Sequence, residues 1–185
     1  MKNTLKYIYS LCLMIGLSTL NAAEPLLMDN FDTQPQTRWN YVSDQVMGGV
    51  SQGQLAFKAE GSERFAHMTG SVSTENNGGF IQFRTSIAKG STATASGITI
   101  KVRGNNQQYY IHLRTAGTLL PWQYYQASFK ATDQWQTIQL PLSAFEASGK
   151  WLRNKIKPSS IRSLGVVAYG RDHSADIQVS EIGFY

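Results

Sequence analysis

The chain has 185 residues, 17 Lys and Arg against 12 Asp and Glu for a net charge of +5, and 42% hydrophobic residues. That is enough for a domain with a full hydrophobic core, and without a lysine-rich tract the mild basicity is not a nucleic-acid footprint. The one cysteine, Cys12, lies in the N-terminal leader, so disulfides, thiolate catalysis and cysteine-ligated zinc are excluded for everything after it.

That leader is MKNTLKYIYSLCLMIGLSTLNAA, residues 1–23. Lys2 and Lys6 precede an apolar run from Tyr7 to about Leu20, and the small residues Ala22 and Ala23 close it. This is the layout of a secretory signal peptide cut after Ala23. Cleavage would lower the net charge from +5 to +3. No later stretch approaches the ~20 apolar residues of a membrane span. A periplasmic or secreted protein with no span after cleavage is expected, its residues 24–185 forming one domain.

Beyond the leader, strand-like runs occupy 26–31, 54–59, 64–73, 79–87, 97–104, 108–116, 122–131, 135–142, 163–170 and 176–185, separated by turn residues. Such spacing predicts an all-β, antiparallel β-sandwich of the jelly-roll kind. The one helical candidate is LSAFEAS at 142–148, and KGSTATASG at 89–97 reads as a flexible hairpin loop.

Successive residues of a strand point to opposite faces. Ile81, Phe83 and Ile87, then Ile98, Ile100 and Val102, then Tyr109, Ile111 and Leu113 are expected inside. The opposite faces carry Arg84, Arg103, Tyr110, His112 and Arg114, and the next run adds Trp122, Tyr124 and Tyr125. If these strands share a sheet, arginines and aromatic rings form one ligand-binding face of Arg84, Arg103, Tyr110, His112, Arg114, Trp122 and Tyr124, able to stack on a planar group and hold an anion. Trp39, Trp135 and Trp151 are expected in the core or beneath loops.

Two glycine-pair loops stand out: DQVMGGVS at 44–51 and NNGGF at 76–80. Gly48 and Gly49 allow a sharp reversal, while Asp44 and Ser51 are placed to hydrogen-bond turn amides. Met47 is either a plug in the end of the sandwich or an exposed soft contact, and the plug is the expectation. Asn76 and Asn77 tolerate left-handed geometry beside Gly78 and Gly79, ahead of Phe80. If the two loops lie side by side, they form a rim of the basic face.

Asp172, His173, Ser174 and Asp176 are triad residue types, but neighbours in one polar turn do not converge as a triad requires. His67, His112 and His173 are scattered, and no carboxylate pair sits at a telling spacing, so catalysis is not expected.

The Asp-x-Val-Met-Gly-Gly-x-Ser turn preceded by Trp39, followed by Asn-Gly-Gly-Phe and a strand carrying Arg84, resembles the complex I intermediate-associated protein 30 family. The likeness extends from Asn30-Phe31-Asp32 to Ile182-Gly183-Phe184. It implies a galactose-binding-like jelly roll, similar in fold to family 11 carbohydrate-binding modules, and a non-catalytic role, since mitochondrial members are chaperone-like assembly factors. The leader here is an export signal rather than an Arg-rich presequence. What carries over is therefore binding of an exported protein partner, in an assembly or scaffold role, or of a glycan as a carbohydrate-binding module. No cofactor is expected beyond a structural calcium, for which the resemblance points to Asp29, Asp32 and Glu181 near the chain ends.

Overall fold

A computed structural model describes residues 26–185. The leader, Cys12 and the cleavage site lie outside these residues. The strands are β1 (Leu26–Asp29), β2 (Asn40–Ser43), β3 (Gln52–Glu60), β4 (Glu63–Val72), β5 (Phe80–Ser86), β6 (Gly97–Gly104), β7 (Gln108–Thr115), β8 (Tyr125–Lys130), β9 (Gln136–Pro141), β10 (Glu146–Ala147), β11 (Ile161–Tyr169) and β12 (His173–Phe184). They form two antiparallel sheets of six strands. Sheet A runs β3-β4-β12-β6-β9 with β1 also on β12, and sheet B runs β10-β8-β7-β11-β5-β2. The expected all-β jelly roll is the fold observed. The described residues contain no helix long and apolar enough to cross a membrane.

Alternation fills the space between the sheets. Ile81 and Phe83, Ile98, Ile100 and Val102, and Tyr109, Ile111 and Leu113 are all fully buried. β12 needs one adjustment, because its apolar residues change parity from Ile177 and Val179 to Ile182 and Phe184. A register irregularity between Val179 and Glu181 absorbs the extra residue and keeps all four in the core.

Four local expectations are corrected, the first being the hairpin loop at 89–97, which instead crosses from β5 of sheet B to β6 of sheet A. The stretch 142–148 makes only a 3-10 turn at Leu142–Ala144, then the short β10, because Pro141 precedes it and Phe145 is drawn into the core. β2 has only four residues, too few for alternation to reveal. His173 and Ser174 are not in a turn but begin β12, paired with Val72 and Ser71 of β4.

Of the tryptophans, Trp39 is in the core. Trp135 lies against Phe65 with ring centroids 5.9 Å apart. Trp151 is 94% exposed, against expectation, on the loop whose buried anchor is Leu152.

Candidate functional site

Asp44 organises the first glycine-pair loop. Its carboxylate is fully buried and accepts hydrogen bonds from Ser51 N (3.0 Å) and Ser51 Oγ (2.5 Å) within the loop, and from Gly79 N (2.5 Å) and Phe80 N (3.2 Å) of the second loop. Burial pushes its pKa up, but bonds from the Ser51 hydroxyl and from the Gly79, Phe80 and Ser51 amides outweigh this and hold it below the usual value. Ser51 Oγ also accepts from Ser73 N at 3.0 Å, tying in the end of β4.

The glycines follow from this carboxylate. A Cβ on Gly49 or on Gly78 would overlap the Asp44 carboxyl group. Gly48, at φ 92°, makes the left-handed reversal after Met47, and Asn76 and Asn77 (φ 56° and 58°) do so in the second loop. The two loops therefore lie side by side around one buried anion.

Met47 is not a plug. It is 61% exposed, Val46 is 76% exposed and Val50 is 38% exposed. The Asp44 carboxylate fills the space beneath the loop, so the apolar side chains are left facing outward from a backbone tied down by its hydrogen bonds.

The second candidate surface is the outer face of sheet B. Across its middle, register aligns Gln126 (β8), His112 (β7), Gly165 (β11), Arg84 (β5) and Asn40 (β2). The adjacent row is Arg114, Ser163 and Ser86, and on the other side Tyr110, Val167 and Gln82. Tyr169 then pairs with Phe80, so the glycine-pair loops border the tyrosine end of this face.

Four rings pack at that end. His112 stacks on Tyr124 with centroids 4.0 Å apart and planes at 9°, while Tyr169 meets Tyr110, His112 and Tyr124 edge-on. Tyr124 Oη donates to Tyr169 Oη at 3.0 Å, and burial together with that partner raises the Tyr124 pKa. His112 Nε2 and Gln126 Oε1 are buried without a hydrogen-bond partner. Burial lowers the His112 pKa to about 4, with the Gln126 side chain acting weakly in the opposite sense. The ring is neutral at physiological pH, and an NMR titration should place its midpoint near 4. Because the folded value is depressed, the stability tied to the neutral ring is present above the unfolded value of about 6.5 and is lost as pH falls toward 4. A midpoint at 6 or above would mean that His112 is open to water.

At the other end lies a cleft of about 410 Å³. Arg84, Arg114 and Arg162 line it with Asn40, Ser86 and Ser163. Arg114 Nη2 donates to Thr118 O (3.2 Å) and Leu120 O (2.9 Å), which fixes the loop carrying Trp122, itself 65% exposed. Burial and then the Arg84 charge lower the Arg114 pKa. Among the described residues no carboxylate pairs with any of the three arginines.

Arg103 lies elsewhere. β6 belongs to sheet A, where the Arg103 guanidinium sits 4.8 Å from the Trp135 ring centroid and bonds to Gln178 and Glu60. The chain crosses to sheet A between β5 and β6 and back to sheet B between β6 and β7, which separates Arg103 from Arg84, His112 and Arg114. Arg162, Tyr169, Ser163 and Gly165 were missed because β11 reads as an apolar run, and only its position between β5 and β7 gives them a site.

The three acids considered for calcium have separate partners. Asp29 takes Arg38, Trp39 Nε1 and Phe31 N; Asp32 takes Asn30 Nδ2; Glu181 lies 3.6 Å from Lys101 Nζ. Among the described residues no group of three or more His, Cys, Asp or Glu could hold a metal ion. Nor do the triad residue types converge: Asp172 accepts from Thr74, His173 Nδ1 contacts Arg171 O, and Asp176 pairs with His67.

Residues 29–179, which include the Asp44 loops and the β5 strand they lead into, match the family model of complex I intermediate-associated protein 30. The chain belongs to that family. No curated protein matches it in sequence. Among solved structures, this member of the complex I intermediate-associated protein 30 family is similar to the family 11 carbohydrate-binding module of the cellulosomal cellulase Lic26A-Cel5E of Clostridium thermocellum. The TM-score is 0.71 at 15% identity, covering 88% of this chain and 95% of that one. The Clostridium thermocellum module in complex with a β-1,3-1,4-mixed-linked tetrasaccharide gives 0.69 at 14%, covering 86% and 94%. A family 30 carbohydrate-binding module gives 0.54 at 11%, covering 77% and 80%. At these identities the likeness is one of fold.

Proposed function

We propose that this chain is a non-catalytic binding domain of the exported compartment that docks a protein partner on the loop Asp44 to Ser51, in an assembly or scaffold role. The observation that carries this is the combination of a fully buried, four-bonded Asp44 with outward-facing Val46, Met47 and Val50. A loop fixed in advance loses little conformational entropy when it binds, so its exposed apolar side chains contribute more of their burial to affinity. Methionine adapts to the shape of the surface it meets.

A pull-down from the exporting compartment tests this with the double variant Val46→Ser, Met47→Ser beside wild type. Capture of a specific protein should fall at least tenfold while the melting temperature stays within a degree or two, because neither side chain is buried. Undiminished capture by the variant would remove the loop from the interface.

A second reading has its own observation: the outer face of sheet B carries the rings of Tyr110 and Tyr124 at one end and Arg84 and Arg114 at the other, with Trp122 exposed on the loop that Arg114 holds. That face suits a carbohydrate-binding module in which rings stack on sugars and guanidinium groups bond hydroxyls or an acidic group.

A further inference from the structure

We propose that the arginine cleft at the Ser86 end of sheet B binds an acidic polysaccharide, a polyuronate, through its carboxylates. The proposal rests on the second reading above, of this face as a sugar site, and is independent of docking by the Asp44 loop.

The cleft is a consequence of what the central strand lacks. β11 lies between β5 and β7, and it presents only Ser163 and Gly165 to the outer face between the arginines of its neighbours. A Cβ at position 165 would meet Gln82 Oε1 at 3.0 Å and Arg84 Cβ at 3.5 Å, so the glycine leaves the Arg84 side chain uncrowded beside the cleft. Strict alternation would turn Arg162 inward beside an outward Ser163. A register irregularity between Ile161 and Ser163 lets Arg162 line the cleft instead.

Three guanidinium groups thus converge without an internal counter-ion. Arg114 is held by two backbone carbonyls, and Arg162 donates to Ser159 O (3.1 Å) and Ile161 O (2.7 Å), so both are oriented before any ligand arrives. Arg84 is exposed and has no hydrogen-bond or ion-pair partner among the described residues. On sheet A, Arg103 pairs with Glu60 and Lys101 with Glu63 and Glu181, while the exposed Lys58 and Arg64 stand on the separate strands β3 and β4 and are not gathered around a cleft. A bound carboxylate would relieve the mutual repulsion of Arg84 and Arg114 and accept their forked N–H donors.

The lining selects the rest of the ligand. All nine side chains around the cleft are Asn, Arg, Ser or Thr, so no aliphatic or aromatic residue lines it to receive an apolar peptide side chain. The volume of about 410 Å³ lies within the range of organic-ligand sites, about 300–1,000 Å³, and exceeds what a single small anion fills. A chain of hydroxylated rings bearing carboxylates meets both conditions, and Trp122 is exposed two residues past the Leu120 carbonyl that orients Arg114.

The test is isothermal titration calorimetry of the mature protein with four probes: oligogalacturonate, a neutral mixed-linked β-glucan oligosaccharide, polyglutamate and sodium sulfate. Variants are Arg84→Gln and Arg84→Lys, with melting temperatures recorded. Oligogalacturonate should bind in preference to the other three. Its affinity should fall at least tenfold in Arg84→Gln, less in Arg84→Lys, and further with added salt, with no change in melting temperature. Equal or tighter binding of the neutral glucan would keep the sugar reading and overturn the acidic one. Polyglutamate or sulfate binding as tightly as oligogalacturonate would make this a general anion site and overturn the proposal. If no probe binds, the sugar reading of the face fails with it.

Discussion

Asp44→Asn should lower the stability of this protein by about 3 kcal/mol, with a fall in melting temperature of roughly 10 °C for a domain of this size. All four groups around the carboxylate are donors: two Ser51 groups and the Gly79 and Phe80 amides. An asparagine of the same shape must turn its NH2 toward at least one of them, and it loses the charge that strengthens the remaining bonds. Thermal and denaturant unfolding would measure the loss, and a change below about 1 kcal/mol would mean that the carboxylate is not what joins the loops. The same residue predicts an acid limb. Its folded pKa is depressed below 3.8, so its stabilisation is complete above the unfolded value and is lost as pH falls below about 4. The variant should therefore unfold with a shallower dependence on pH in that window.

Asp29→Asn should cost about 2 kcal/mol by a related but weaker mechanism. Asp29 Oδ1 accepts from Phe31 N (2.8 Å) and Arg38 Nη2 (2.9 Å), and Oδ2 from Arg38 Nε (2.9 Å) and Trp39 Nε1 (2.8 Å). Burial raises its pKa, and the bonds from Arg38, Trp39 and Phe31 more than reverse that. Arg38 is partly exposed and can turn to water, which is why the expected loss is the smaller one. Phe31 is held at φ 59°, between Trp39 and Phe57, with its amide on this carboxylate. Exchange of the Trp39 indole N–H should accelerate at least tenfold in the variant. Unchanged exchange would show that the indole is protected by packing alone.

Much of the fold was legible because burial imposes a period of two on every strand that covers a core. Ile98, Ile100 and Val102 announce the inner face of β6 without any knowledge of its neighbours. The candidate site was legible in its parts only. Arg84, Tyr110, His112 and Arg114 are outward on their strands, as alternation requires, yet Arg103 obeys the same rule on the opposite sheet. Met47 shows the limit at a single residue: a methionine in a turn is equally good as plug or contact, and the choice rests with the Asp44 carboxylate that occupies the space below it.

By itself the amino-acid sequence determined the longer strands, most of their inward residues and the family, since periodicity, turn chemistry and the two Gly-Gly motifs are local properties of the chain, while the short β2 and β10 carry no such period. Only the tertiary structure decided which outward residues meet. Placing β11 between β5 and β7 gathers Arg84, Arg114 and Arg162 around Ser163, residues up to 79 positions apart in the chain. The physical reason is that strand order is set by how whole sheets cover one another, and no local pattern carries that information.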